Sequence, residues 1–262
     1  MMTHTRILAL LCISAGHALA QQSSMTRRPP IIDVHIHAFG WDHQGNPPSP
    51  NPLTGKVPAA RTDKALMDAV LAELRRFNVV KVVAGGRRQH VLRWLAADSA
   101  RIIGGVMVAS DFPLLDLDQL REDVRAGRVG VMGELALAYH GVSPSDPRME
   151  PYWALAEMLD IPVLQETIAI MHMYPQVYAD LGAIDWLRPR ETFHDYLRAL
   201  VRAGFAKRLM FGSDQMIWPE GIGKAIEGVE SASFLTDEQK RDIFFNNAVR
   251  FLRLDEKDLR AR

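Results

Sequence analysis

Ile31-Ile32-Asp33-Val34-His35-Ile36-His37-Ala38 is the stretch from which the rest of the chain is read. Ile31, Ile32, Val34 and Ile36 are β-branched, so the run reads as a short strand buried on both faces, as parallel sheets require. Alternation along a strand places Asp33, His35 and His37 on one side. Two imidazoles so spaced can converge on a metal beyond the strand's end, because zinc and its neighbours accept neutral imidazole nitrogen. The bland alternative is a pair of hydrogen-bonded histidines on a half-buried strand, and His-x-His alone does not exclude it. The preceding acid and the apolar surroundings favour the metal.

Outward from this strand, short β-type runs alternate with helical patterns. Residues 79–84, 102–108 and 129–135 read as further strands, and residues 63–77, 90–97, 117–126 and 151–159 as helices. Strands alternating with helices imply parallel βαβ units, and this many in series implies a barrel or a doubly wound sheet. The barrel is favoured on two grounds. The informative polar residues fall at the C-terminal ends of the strands, where barrels place their sites. No Gly-x-Gly-x-x-Gly follows the first strand, so a nicotinamide or flavin fold lacks its phosphate-cradling signature. The proline-rich residues 47–52 form a rigid loop after the first strand, a candidate lid.

Beyond Asp160 the spacing fails. Residues 161–163 open like a fifth strand and 177–182 like another, with only a helix at 167–174 between them. Regularity then returns with a helix at 192–203, a strand at 208–211 and helices from Gly223 and Asp237. The expectation is an α/β, TIM-like (β/α) barrel that is incomplete. It has seven strands against the eight of a full barrel and lacks the region around strands 5 and 6.

The first twenty residues stand apart. Arg6, the apolar run from Ile7 to Ile13 and the ending Ala18-Leu19-Ala20 have the layout of a cleavable signal peptide, too short to span a bilayer. Residues 21–30 form a polar leader, and 31–262 one domain. Export to the periplasm or medium follows, or a cytoplasmic protein if translation starts at Met25. The chain of 262 residues has 31 basic and 31 acidic side chains; losing Arg6 leaves 30 against 31. Without a long block of one sign, nucleic acid and, after signal cleavage, membranes find no electrostatic footing. Cleavage also removes the one cysteine, Cys12, so a metal must be held by histidine and carboxylate.

Two other strands carry candidate ligands. Leu209-Met210-Phe211 breaks at Gly212-Ser213 and presents Asp214, which can ligate a metal and take a proton from water, although an Asx turn or helix cap also suits it. Glu134 lies inside the apolar run Val131-Met132-Gly133-Glu134-Leu135, where a carboxylate needs a metal or a buried ion pair. Arg87 and Arg88 follow the second strand, and Arg87 is the candidate for a substrate carboxylate, with a solvated loop charge as the alternative. His43, His90 and His194 read as solvated surface.

Together these segments resemble the amidohydrolase superfamily, in its branch of amidohydrolase-related hydrolases and decarboxylases. The resemblance is carried by residues 32–37, Gly133-Glu134-Leu135, residues 174–181, Phe211-Gly212-Ser213-Asp214 and the closing Asn246-Asn247-Ala248-Val249-Arg250-Phe251-Leu252, in the family's order over residues 31–254. It implies that His35, His37 and Asp214 bind a divalent metal, zinc by expectation, with Glu134 as a further ligand. It also implies that Asp214 handles the proton when an activated water attacks an ester, lactone or amide of a small organic substrate. The family's two later histidines, from its fifth and sixth strands, have no counterpart where residues 161–163 run into Leu164-Gln165-Glu166-Thr167. His172 is read as a packed or surface residue of a helix, and His140 is the better stand-in by position. A decarboxylase with the same site and an impaired remnant remain open beside the hydrolase. So do the metal count and whether copies form a homo-oligomer.

Overall fold

The structure, a computed structural model, describes residues 28–108, 116–135, 137, 141–143, 145–159, 161, 171 and 177–259, with backbone alone at Val108 and Glu134. Strand β1 (Ile31–His37) is buried along its whole length. It pairs in parallel with β2 (Val79–Gly85), which pairs with β3 (Ile102–Val108), which pairs with β4 (Val131–Leu135). A second parallel pair joins β5 (Ala179–Asp180) to β6 (Leu209–Met210).

The two groups meet at β1. The Val34 amide donates to the Phe211 carbonyl at 2.9 Å, Asp214 to His35 at 2.8 Å and His37 to Gln215 at 2.9 Å, so residues 211–215 extend β6 along the free side of β1. The spatial order is therefore β4-β3-β2-β1-β6-β5, all parallel. Among the described residues, strands consecutive in sequence lie side by side except β4 and β5, and the first also lies beside the last. That is the order of a (β/α) barrel opened between β4 and β5.

Among the described residues six strands are present, matching the first four and last two of the seven expected. Of the expected fifth, only Ile161 falls within the described residues, outside any strand; the helix expected at 167–174 lies outside them apart from Met171. The expected signal peptide and most of the expected leader also lie outside.

The helices form for local reasons and bury one stripe each. In α1 (Asp63–Arg76) the Thr62 hydroxyl caps the first turn by accepting from the Ala65 amide, and Asp63 and Arg75–Arg76 complement the dipole at either end. Its buried residues Leu66, Met67, Val70, Leu71 and Leu74 follow helical spacing. Asn78, at φ +55°, takes the left-handed turn into β2.

Helices α2 (Arg88–Ala97), α3 (Leu117–Arg125) and α4 (Glu150–Leu159) cover the β2–β4 side. After β5 comes a single turn, α5 (Ile184–Leu187), that the sequence pattern does not announce, then α6 (Arg190–Arg202) and α7 (Gly221–Glu230). The closing segment is α8 (Asp237–Arg241), a π-helical turn (Asp242–Asn246), α9 (Asn247–Phe251) and α10 (Glu256–Leu259). Ala248 from that segment packs with Ile32, Val34, Val83, Val131 and Met210 of four strands. No helix among the described residues is long and apolar enough to cross a membrane.

Candidate metal centre

The centre is built where β1 and the extension of β6 end side by side. Asp33 fastens the two. Its Oδ1 accepts from the amides of His35 (3.1 Å) and Ser213 (3.0 Å), and its Oδ2 from the Ser213 hydroxyl (2.6 Å). Burial pushes the Asp33 carboxyl up to about 7, against the pull of these donors. Although alternation places Asp33 on the histidines' side, its carboxylate goes to Ser213 and works as a clasp. From the other side, the Trp186 indole on α5 donates to the Ser213 carbonyl at 2.7 Å.

Held between those contacts, Asp214 adopts φ +46°, a conformation that Asp tolerates better than most residues. Its carboxylate meets both imidazoles. Oδ1 lies 2.7 Å from His37 Nε2 and 3.7 Å from His35 Nε2. Burial would raise the Asp214 carboxyl, but the two facing histidines outweigh it and hold the group below the ordinary range. One donor atom from each of His35, His37 and Asp214 lies within 4.8 Å of the others. Three buried N and O donors, with no sulfur, fit a divalent cation such as zinc.

The space has been cleared by glycine. A Cβ on Gly212 would stand 2.8 Å from His35 Cβ and 2.7 Å from Asp180 Oδ1; one on Gly182 would stand 3.0 Å from His35 Nδ1 and 2.7 Å from the same Asp180 oxygen. Asp180, at the end of β5, faces His35 Nδ1 at 3.3 Å and accepts from the Gly182 amide at 2.8 Å. Asp185 on α5 is fully buried, and among the described residues neither carboxylate oxygen has a hydrogen-bond partner. Its burial, with Asp33, Asp180 and Asp214 nearby, drives its carboxyl well above the ordinary value.

Sequence reasoning assigned no role to Asp180 or Asp185. The apolar-then-acid ending of residues 177–181, the same form as residues 209–214, was the signal available for Asp180. For Asp185 there was none.

The structure brings together His35, His37 and Asp214 of the candidate ligands. Glu134 lies in β4, its side chain outside the described residues, as are His140 and His172. The two arginines part company. Arg88 turns away, giving Nε and Nη2 to Asp123 at 2.6 and 2.8 Å. Arg87 caps α2 with an exposed side chain. It stands two residues past Gly85, the register partner of His37.

The histidines read as solvated surface are only partly exposed. His43 stacks on Phe39 (3.7 Å), which itself stacks on His37 (4.3 Å). His90 lies against Asp63, and His194 Nε2 donates to the Gly228 carbonyl at 3.0 Å. His90 and His194 are drawn in by neighbours distant in sequence, His43 by a ring four residues before it. The loop with residues 47–52 lies against the segment after Asp214: Trp218 Nε1 donates to the Ser49 carbonyl at 3.1 Å and Asn51 Nδ2 to Glu220 at 2.7 Å.

Comparison with known proteins agrees with this arrangement. A family model described as Amidohydrolase matches residues 32–165 and 164–254, two pieces that meet where the repeat spacing fails. No curated protein matches the chain by sequence. Among solved structures, a probable 2-pyrone-4,6-dicarboxylic acid hydrolase from Acinetobacter baumannii, with citric acid bound, superposes with a TM-score of 0.61 at 16% identity, over 86% of this chain and 100% of that one. A 4-oxalomesaconate hydratase from Rhodopseudomonas palustris gives 0.56 at 14% identity over 85% and 95%. A 5-carboxyvanillate decarboxylase from Sphingomonas paucimobilis gives 0.52 at 12% identity over 86% and 99%. At such identities the likeness is one of fold.

Proposed function

Because this chain belongs to the amidohydrolase family, we propose that it is a metal-dependent hydrolase acting on an ester, lactone or amide of a small carboxylic acid. The observation that carries the reading is the convergence of His35, His37 and Asp214 from strand ends nearly 180 residues apart in sequence. These three residues would hold a divalent cation, zinc by the nature of the donors, with Glu134 as a further ligand. When bound, the cation supplies Lewis-acid polarisation of the carbonyl and acidifies water.

The remaining work falls to the chain. Asp214, kept ionised by the facing imidazoles, takes the proton from the attacking water and returns it to the leaving group. Arg87, two residues past Gly85, receives a substrate carboxylate, for which its planar fork is suited. The acid substrates named for the hydrolase and decarboxylase of similar fold support that choice. The first twenty residues act as the export signal, and mature protein from an exporting host is expected to begin at Gln21.

The test is metal analysis of the purified full chain, followed by assay against lactones, esters and amides bearing a carboxylate. Stoichiometric metal, activity restored on reloading, and loss of both in His35→Ala and His37→Ala support the proposal. Zinc at a hundred times its Kd also adds about 2.7 kcal/mol to the stability of the native state, visible as a thermal shift. Release of carbon dioxide without hydrolysis would assign the site to a decarboxylase. No metal at any loading would leave a binding-only remnant.

A further inference from the structure

The proton-handling scheme above makes no use of Asp180, yet the fold takes trouble to place it. Its carboxylate is largely buried at the end of β5, between two glycines that each leave room for nothing larger than hydrogen beside Oδ1. The Gly182 amide fixes that oxygen at 2.8 Å. What the oxygen then faces is His35 Nδ1, at 3.3 Å. The two ring nitrogens of His35 are thus divided between two carboxylates from different strands: Nδ1 toward Asp180, Nε2 toward Asp214.

A neutral imidazole carries one ring proton, and the other nitrogen is the one that can donate to a metal. We propose that Asp180 is a positioning residue that holds the ring proton of His35 on Nδ1, so that Nε2 presents its lone pair to the cation shared with His37 and Asp214. The inference rests on the metal reading above and extends it. Carboxylates set behind ligand histidines in this way fix the tautomer and ring orientation and raise ligand basicity, and their loss weakens metal binding about 10–100-fold.

The alternative, that Asp180 serves only to turn the chain after β5, is met by its hydrogen bond to Gly182. That bond leaves the contact with His35 unexplained, as well as the absence of a side chain at Gly212, thirty residues further on. A turn needs neither.

The experiment pairs two readouts on the full chain. In metal-free protein, long-range nitrogen–proton NMR correlations report the tautomer of His35, identified by its absence in His35→Ala. Separately, zinc alone is titrated into wild type, Asp180→Asn and Asp180→Ala. The proton is expected on Nδ1 in wild type and in Asp180→Asn, which keeps an acceptor oxygen, and the preference is lost in Asp180→Ala. Zinc affinity should fall about 10–100-fold in Asp180→Ala and about 10-fold or less in Asp180→Asn, whose charge is gone. The ring proton on Nε2 in wild type, or zinc affinity in Asp180→Ala within about twofold of wild type, overturns the proposal. Should Asp180→Ala fail to fold, the near-isosteric Asp180→Asn decides: zinc affinity within about twofold of wild type counts against the role of the charge, and a ring proton on Nε2 counts against the positioning. A wild type that binds no zinc refutes the metal centre itself, while the tautomer still tests the hold on His35.

Discussion

Gly212→Ala adds one methyl group at the point where β6 gives way to Ser213 and Asp214, and the structure states what that group meets. His35 Cβ lies 2.8 Å from the new carbon, Asp180 Oδ1 2.7 Å and Asp180 Cβ 3.2 Å. Non-bonded carbons sit comfortably at ~3.5–4.0 Å, so the first and last of these are overlaps and the middle one is closer still. Two of the obstacles are β-carbons fixed to the backbone, and the third, Asp180 Oδ1, is held by the Gly182 amide. His35 belongs to a strand laddered on both sides, and Asp180 to a strand paired with β6. Relief must come from moving backbone, which places the cost near the upper end of the range for overpacking, about 3 kcal/mol. For a domain of this size that corresponds to a fall in Tm of roughly 6–12 °C.

The displacement has a direction as well. It separates β1 from β6 where His35 and Asp214 face each other, so metal affinity should drop more than a loss of stability alone would explain. Urea unfolding of metal-free protein gives the first quantity, and zinc titration well below the unfolding midpoint gives the second. A Gly212→Ala protein that unfolds at the wild-type midpoint and binds zinc with wild-type affinity would refute the close approach of the three elements on which the centre depends.

Other perturbations follow from the same contacts. Asp123 is buried against Arg88 and Arg128, and the hydrogen bond from Arg88 chiefly holds its carboxyl below the ordinary range. Its contribution is therefore complete above the ordinary carboxylate value and is lost as pH falls through the lowered one. Asp123→Asn should cost about 2 kcal/mol at pH 7 and flatten the decline of unfolding free energy below about pH 4, measured by urea unfolding across that range. Trp186→Phe removes the 2.7 Å donor to the Ser213 carbonyl and leaves it buried and unmatched, costing about 1–3 kcal/mol by the same measurement. Asp214→Asn should fold normally, since Asn tolerates φ +46°, while binding no metal in titration and losing activity. Arg87→Ala should raise KM for a carboxylate-bearing substrate about tenfold or more, with zinc content unchanged by metal analysis.

The parts of this molecule visible in its sequence are those set by local pattern. The β-branched run around His35 and His37 could only be a buried strand, and the break after Phe211 marked the end of another, so three candidate ligands and most strand positions followed. Asp33 was visible as a neighbour of the histidines but not as a clasp, because its partner Ser213 lies 180 positions away. Asp180 reaches its role through a contact spanning 145 positions, and nothing in its own surroundings encodes His35. The single turn of α5 was missed for a different reason: four residues are too few to show a helical period. His43 was judged by its polar loop, whereas its environment is set by the ring of Phe39.

The position of β1 in the sheet, flanked by β2 on one edge and by the last strand on the other, has a consequence for how the protein comes into being. During synthesis one edge of the histidines' strand must wait until residues 211–215 have been made before its partner exists. The meeting of His35, His37 and Asp214 is thus a late product of maturation, reached only after slow long-range closure of the kind that leaves intermediates exposed. A cation captured there would act as a seal on the finished fold, withheld from any nascent or truncated molecule that has not yet brought its two ends together.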